Sequence, residues 1–308
     1  MLHMDAPDGP NTSWRMDTDR QRRRLGLNVP QDWWPAAPLV KSFEAAGFGW
    51  AQVPSPPAEV LTVPRDCAAH ARAAGAALDV TGLDVVVHGP SALLAGSAAA
   101  DRVFEGLLAY TAEAGARQVV YHARNLPDAP ASDDRLLAET RSLARHARLA
   151  ERLGVTIAVE NLAPVFPGPE RLGHLPAALR TLVRRISSPA LGLCLDLGHA
   201  HVVSELRRCD LEELVCPALD ATVLFHAHDN FGARREARPA PELDPLRLDL
   251  HLPPGRGTLP WARLAPRLCA HHAPVVLEVH PPHRPSPAAL AKGFSALLAA
   301  GPALPAAA

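Results

Sequence analysis

The sequence predicts an α/β fold, a single (β/α)8 barrel of the TIM type, and three observations carry that prediction. Eight short β-type runs recur along the chain. Stretches rich in Ala, Leu and Arg with helical character lie between them. Strand starts are about 24 to 37 residues apart, except before the last strand, where the gap is longer. Alternating strand and helix argues for a parallel sheet, and eight repeats favour a closed barrel over a doubly wound sheet.

The runs are "RLGLNVP" (24–30), "FGWAQVP" (48–54), "LDVVVHGP" (83–90) and "RQVVYHARN" (117–125), then "GVTIAVENL" (154–162), "LGLCLDLGH" (191–199), "ATVLFHAHDN" (221–230) and "APVVLEVH" (273–280). Helices are expected over 57–75, 98–114 and 134–153. The last of these has apolar positions at helical spacing and Gly154 as its stop. The long gap, 231–258, is rich in Pro, Arg and Asp. In a barrel it becomes a loop on the C-terminal rim, where active sites gather. Nothing divides the chain, so 23–300 is expected to be one barrel. The polar, turn-rich residues 1–22 are expected to be a disordered extension, and 301–308 a flexible tail.

Composition narrows the partners. Net charge is −1 and Lys occurs only at Lys41 and Lys292, so the broad basic surface that binds nucleic acid is missing. Cys67, Cys194, Cys209, Cys216 and Cys269 show no CxxC spacing and are expected to be buried thiols of a reducing compartment. No run of 18 apolar residues exists and the N-terminus has no apolar leader core, so no membrane is involved and the expected location is cytoplasmic.

The strand ends carry the chemistry. Strands 3 to 8 end in turn at His88, His122, Glu160, Asp196, His226 and Glu278. Strand alternation puts Glu160 on one face with Ala158 and Thr156, and Asp196 with Cys194 and Gly192. Val155, Ile157, Val159, Leu277 and Val279 then face the helices. One histidine at a strand end is usually just hydrogen-bonded. A glutamate inside an apolar strand is costly without a partner. Six such residues at six successive ends would meet at a barrel mouth, where clustered carboxylates need a cation. His199, three residues after Asp196, and the Asp249/His251 pair in the long loop lie close by in this reading. Imidazole with carboxylate suits Mn, Zn, Co or Fe better than Ca or Mg.

Taken together, "VHGP", "VYHARN", "AVENL", "CLDLGHAH", "FHAHDN", "DLHLPPGRGTLPW" and "LEVH" resemble the xylose-isomerase-like TIM-barrel superfamily. It includes sugar phosphate isomerases/epimerases and apurinic-site endonucleases of the endonuclease IV type. The resemblance implies a core metal site of Glu160, Asp196, His226 and Glu278, extended by His88, His122, His199, Asp249 and His251 if the site is multinuclear. It implies one to three divalent ions per chain (Mn, Zn, Co, Fe or Mg) and a small carbohydrate-type substrate. Oligomeric state, a homodimer included, is left open.

Two chemistries share these ligands. In the isomerase/epimerase reading, a metal holds adjacent substrate oxygens and stabilises an enediolate, while Glu160 and Glu278 serve as acid and base. Dehydration by a lyase follows the same proton abstraction. In the hydrolase reading, three metals activate hydroxide against a phosphodiester. Against it, "GPSALL" after His88 has no aromatic wedge, and only Arg234, Arg235 and Arg238 offer a phosphate contact. The wording of "HAHDNFG" and "HLPPGRGTLPW" favours the isomerase/epimerase branch.

Substrate-binding candidates are Asn28, His199, His228 and Arg256. Asn161 and His228 are also placed as residues that orient ligands. Trp33, Trp34 and Trp50 either wall the site or pack the core. His70, His146, His271 and His272 are expected at the surface, and His201 without a chemical role.

Overall fold

A computed structural model describes residues 23–123, 133–164, 171–233 and 248–300. Eight parallel strands close a barrel in sequence order: β1 Leu25–Asn28, β2 Trp50–Pro54, β3 Asp84–His88, β4 Gln118–His122, β5 Thr156–Glu160, β6 Leu191–Asp196, β7 Thr222–Ala227 and β8 Val275–Leu277. The ring shuts where β1 pairs with β8, Gly26 opposite Val276.

Around it run α1 Ala37–Ala45, α2 Ala58–Leu61, α3 Pro64–Leu78, α4 Ala98–Glu113 and α5 Asp133–Leu153. They are followed by α6 Pro176–Ile186, α7 Leu197–Arg207, α8 Leu211–Val215, α9 Trp261–Ala270 and α10 Pro287–Ala299. The single helix expected over 57–75 is two, because Pro64 starts a new helix at its first turn. The strands are shorter than their apolar runs. Glu278 therefore lies just past β8, held there by its backbone N–H on the Ala227 carbonyl at 3.1 Å.

The strand faces divide the interior in two. Val155, Ile157, Val159, Leu277 and Val279 join the large core between barrel and helices, as alternation requires. On the inner face, Val86, Val120, Ala158, Cys194, Leu224 and Val276 form a separate buried plug along the barrel axis. Trp50 packs against this plug. It fits because Gly26 opposite has no Cβ; one there would lie 2.9 Å from the Trp50 Cβ.

Several side chains differ from expectation. His146 is buried, stacked on Phe104 with ring centroids 4.4 Å apart, and hydrogen-bonded to Ser142. His70 and His271 are half-buried, so of the four only His272 is exposed. Among the thiols only Cys67 and Cys194 are buried; Cys209 is exposed and Cys216 and Cys269 are intermediate, though all five are free. No helix of the described residues is long and apolar enough to cross a membrane. The expectations for 1–22 and 301–308 lie outside the described residues.

The plug is the floor on which the strand-end side chains stand. Leu224→Ala should cost about 2–5 kcal/mol, the range for emptying a buried leucine site. Urea unfolding of the purified variant measures it.

Candidate metal centre

Every plug residue is followed, two positions on, by a polar strand-end residue: Val86 by His88, Val120 by His122, Ala158 by Glu160, Cys194 by Asp196, Leu224 by His226 and Val276 by Glu278. A step of two keeps the inner face, so the six polar groups form the next layer up. The same step leads from Trp50 to Gln52 and from Gly26 to Asn28. Sequence reasoning found seven of these eight positions and missed Gln52. A glutamine inside the apolar run "WAQVP" was the available signal.

Glu160, Asp196, His226 and Glu278 are all buried and present ligand atoms within 4.8 Å of one another. His226 Nδ1 lies 3.2 Å from Glu160 Oε1, 3.4 Å from Glu278 Oε2 and 3.7 Å from Asp196 Oδ2. Two further groups adjoin this core. His88 and His122 stand 3.7 and 3.0 Å from Glu160 Oε2. On the other side, His199, His228, Asp249 and His251 form a fourfold group. All nine residues that the resemblance implies as ligands are brought together.

Most of the imidazoles are aimed by one nitrogen and leave the other for the cluster. His88 Nδ1 donates to the Gly89 carbonyl at 2.9 Å, His199 Nδ1 to the Asn161 carbonyl at 2.8 Å and His251 Nδ1 to the Glu278 carbonyl at 3.1 Å. His226 Nε2 donates to Gln52 Oε1 at 2.7 Å, while the Gln52 amide nitrogen donates to Glu278 Oε1. Such partners fix the tautomer and ring plane of metal-binding histidines. Asn161 clamps the end of β6, accepting from Asp196 N at 2.8 Å and donating to Asp196 O at 2.9 Å.

Without a cation, protons balance the charge. Burial raises the Glu160 pKa, but the imidazoles of His226 and His122 overcome it and hold the carboxyl well below its usual range. Burial lowers His226, yet Glu278 and Glu160 outweigh that and push it up to about 9. His199 is raised well above an ordinary imidazole: Asp196 and Asp249 overcome its burial. Glu160 Oε2 and Asp196 Oδ2 still have no hydrogen-bond partner. Buried carboxylate oxygens left this way, among imidazoles, are a donor set that fits a divalent cation.

The cluster floors a cavity of about 850 Å3 at the barrel mouth, lined by Glu160, Glu278, His88, His122, His199, Asp249 and His251. Asn28 lines it too, although its side-chain oxygen already accepts from Val279 N and from Arg284. Trp33 stands at the rim and is 45% exposed. Two of the substrate-binding candidates do not line the cavity. Arg256 is exposed and outside the cavity, since its backbone closes a turn on the Pro253 carbonyl. His228 is fully buried beside Asp196 and does not line the cavity. Trp50 packs the core, and His201 is buried with its Nε2 3.0 Å from Thr258 Oγ1. Arg234, Arg235 and Arg238 lie outside the described residues.

The loop returning to the site is pinned by Asp229, a second residue that sequence reasoning passed over. Its carboxylate accepts from Gly255 N at 2.8 Å, Leu259 N at 3.1 Å and the Trp261 indole at 2.8 Å. The "HDN" and "PPGRGTLPW" segments thus form one joint. It holds His251 in a left-handed conformation (φ 48°), a strain such an anchor sustains.

The family described as the xylose isomerase-like TIM barrel matches residues 40–299. The chain belongs to this family. Solved structures sharing its barrel include a D-tagatose 3-epimerase-like protein (19% identity, 90% of this chain and 97% of that one, TM-score 0.66). They also include the apo form of the 3-keto-D-glucoside 4-epimerase YcjR from E. coli (18%, 90% and 98%, 0.62). A third is a Thermus thermophilus protein, TTHB071, soaked with ZnCl2 (23%, 91% and 99%, 0.59). No curated protein matches the chain.

Two outcomes are expected. His226 titrates near 9 and is protonated at pH 7, so cation uptake at pH 7 must expel its proton. Affinity should climb about tenfold per pH unit per proton released and level off above pH 9. Calorimetry in buffers of different ionisation enthalpy counts the protons; none released at pH 7 contradicts the geometry. Gln52→Leu removes the acceptor of His226 and the donor to Glu278, and should weaken cation binding roughly 10–100-fold. A competition titration with a chelating dye reads that loss.

Proposed function

We propose that this protein is a metal-dependent isomerase or epimerase of an uncharged sugar or related polyol. The observation that carries the reading is that Glu160 and Glu278, from β5 and the end of β8, face one cavity directly above the core cluster. Two carboxylates flanking a bound carbon can remove a proton and return one, which inverts or moves a hydroxyl-bearing centre. The sugar epimerases among the structural neighbours support this class of reaction.

A divalent cation held by Glu160, Asp196, His226 and Glu278 would supply Lewis-acid polarisation of neighbouring substrate oxygens. The chain itself does the rest. Glu160 Oε2 lacks a hydrogen-bond partner and accepts a proton without breaking one. His122, 3.0 Å away, steadies the charge left when that proton departs. Gln52 holds Glu278 Oε1, so Glu278 works through a fixed carboxylate. The apolar plug below excludes water from this side of the site.

Among the described residues lining the cavity there is no Lys or Arg. A phosphorylated sugar would normally meet such a group, so an unphosphorylated one fits better. The volume lies toward the upper end for small-molecule sites and admits more than one sugar ring. The three adjoining ligand groups favour a second reading, a trinuclear phosphodiester hydrolase. The lack of a basic cavity wall counts against it, and cleavage of abasic-site DNA by the zinc-loaded protein decides it.

Glu160→Gln and Glu278→Gln should each abolish exchange of a substrate carbon-bound proton with solvent. Proton NMR in deuterated water on a panel of ketoses follows the exchange. Survival of exchange in both variants rules out the two-carboxylate mechanism.

A further inference from the structure

The barrel closes where β1 meets β8, and a guanidinium bridges the two strands just beyond the last paired residues, Leu27 and Leu277. Arg284 follows the short 3-10 turn Pro281–His283 and is partly buried. Its hydrogen bonds all go to oxygens of two residues. Nη1 donates to the Asn28 carbonyl at 2.7 Å, while Nε and Nη2 donate to the Val279 carbonyl at 3.2 and 2.7 Å. Nη2 also donates to Asn28 Oδ1. Burial pushes the Arg284 pKa down to about 10, with Glu278 partly offsetting that. A part-buried cation held by neutral oxygens carries a cost. Strand closure alone does not call for it, since β1 and β8 already pair.

The effect of the arrangement falls on Asn28. Its Oδ1 accepts from Arg284 and also from Val279 N at 3.2 Å. Guanidinium and backbone N–H can only donate, so a flipped amide would set Nδ2 against donors on both sides. That network tells the amide oxygen from the nitrogen. Asn28 also lines the cavity, and among the described residues nothing accepts from its Nδ2. Its neighbours there are Gln52, its register partner on β2, and Glu278, the residue before Val279.

We propose that Asn28 is a specificity-determining substrate contact that presents an N–H donor beside Glu278, and that Arg284 is the positioning residue fixing this polarity. The cavity wall there takes a carbonyl or hydroxyl oxygen as acceptor. It turns away a group that can only donate, such as the ammonium of an amino sugar. This rests on the reading of the cavity as a sugar site.

The test uses full-length protein loaded with Mn2+ and the ketose of the panel above that exchanges fastest. Asn28→Asp keeps an oxygen for Val279 N and gives Arg284 a charged partner, so heat stability should not fall. The cavity-facing donor, however, becomes an acceptor. KM should rise roughly 10–100-fold, as for a polar partner left unpaired, while kcat falls less. Arg284→Met, which frees the amide to turn, should raise KM about tenfold. Arg284→Lys, whose ammonium can still donate to Asn28 Oδ1, should recover part of that loss. A crystal structure of the wild-type protein with the same ketose should place a sugar oxygen at hydrogen-bond distance from Asn28 Nδ2, without relying on any variant. KM unchanged in Asn28→Asp or Arg284→Met, equal losses in the two Arg284 variants, or a ketose bound with no oxygen at Nδ2 overturns the proposal and leaves the sugar reading standing. Wild-type protein that neither binds nor exchanges any ketose overturns that reading together with this one.

Discussion

Four carboxylates, Glu160, Asp196, Glu278 and Asp249, converge at one end of this barrel around the imidazoles of His226 and His199. Like charges that close together cannot all stay ionised unless positive charge is brought in. That demand raises the pKa values of His226 and His199 above those of ordinary imidazoles. A divalent ion would provide the positive charge itself. Much of the C-terminal face can be understood as a solution to that one electrostatic demand.

The solution depends on rigidity. Free imidazoles would rotate to satisfy the nearest carboxylate and blur the site. Instead, backbone carbonyls of Gly89, Asn161 and Glu278 and the amide of Gln52 each take one ring nitrogen. The ring planes are then set by the barrel frame. Beneath them the dry plug of Val86, Val120, Ala158, Cys194, Leu224 and Val276 keeps the local dielectric low, which strengthens every pairing above it.

Much of this was legible in the sequence, because a strand's period of two is unambiguous when one face is small or apolar and ends in a charge. Glu160 after Ala158 and Asp196 after Cys194 could be read that way, and the barrel followed from eight such units. Helix ends were less legible: the break at Pro64 splits a stretch that composition alone joins. Gln52 was overlooked because an amide carries no charge to mark it. The burial of His228 was not legible, because the space for its ring depends on Gly198 and His251, residues 30 and 23 positions away. The direction of Arg256 was hidden for a related reason: sequence shows a cation in a loop, and only the turn it closes shows that it is exposed outside the cavity lining.

The joint at Asp229 has a consequence for how such a protein diversifies. Three donors from 255, 259 and 261 fasten the far end of the long excursion to the end of β7. Asp249 and His251 therefore owe their positions to the anchor and not to the length of chain between 233 and 248. Lengthening a loop whose ends are already fixed costs little free energy. Changes of sequence there would leave the placement of Asp249 and His251 intact. The barrel thus separates a strand-end cluster held by its frame from a stretch whose sequence can vary.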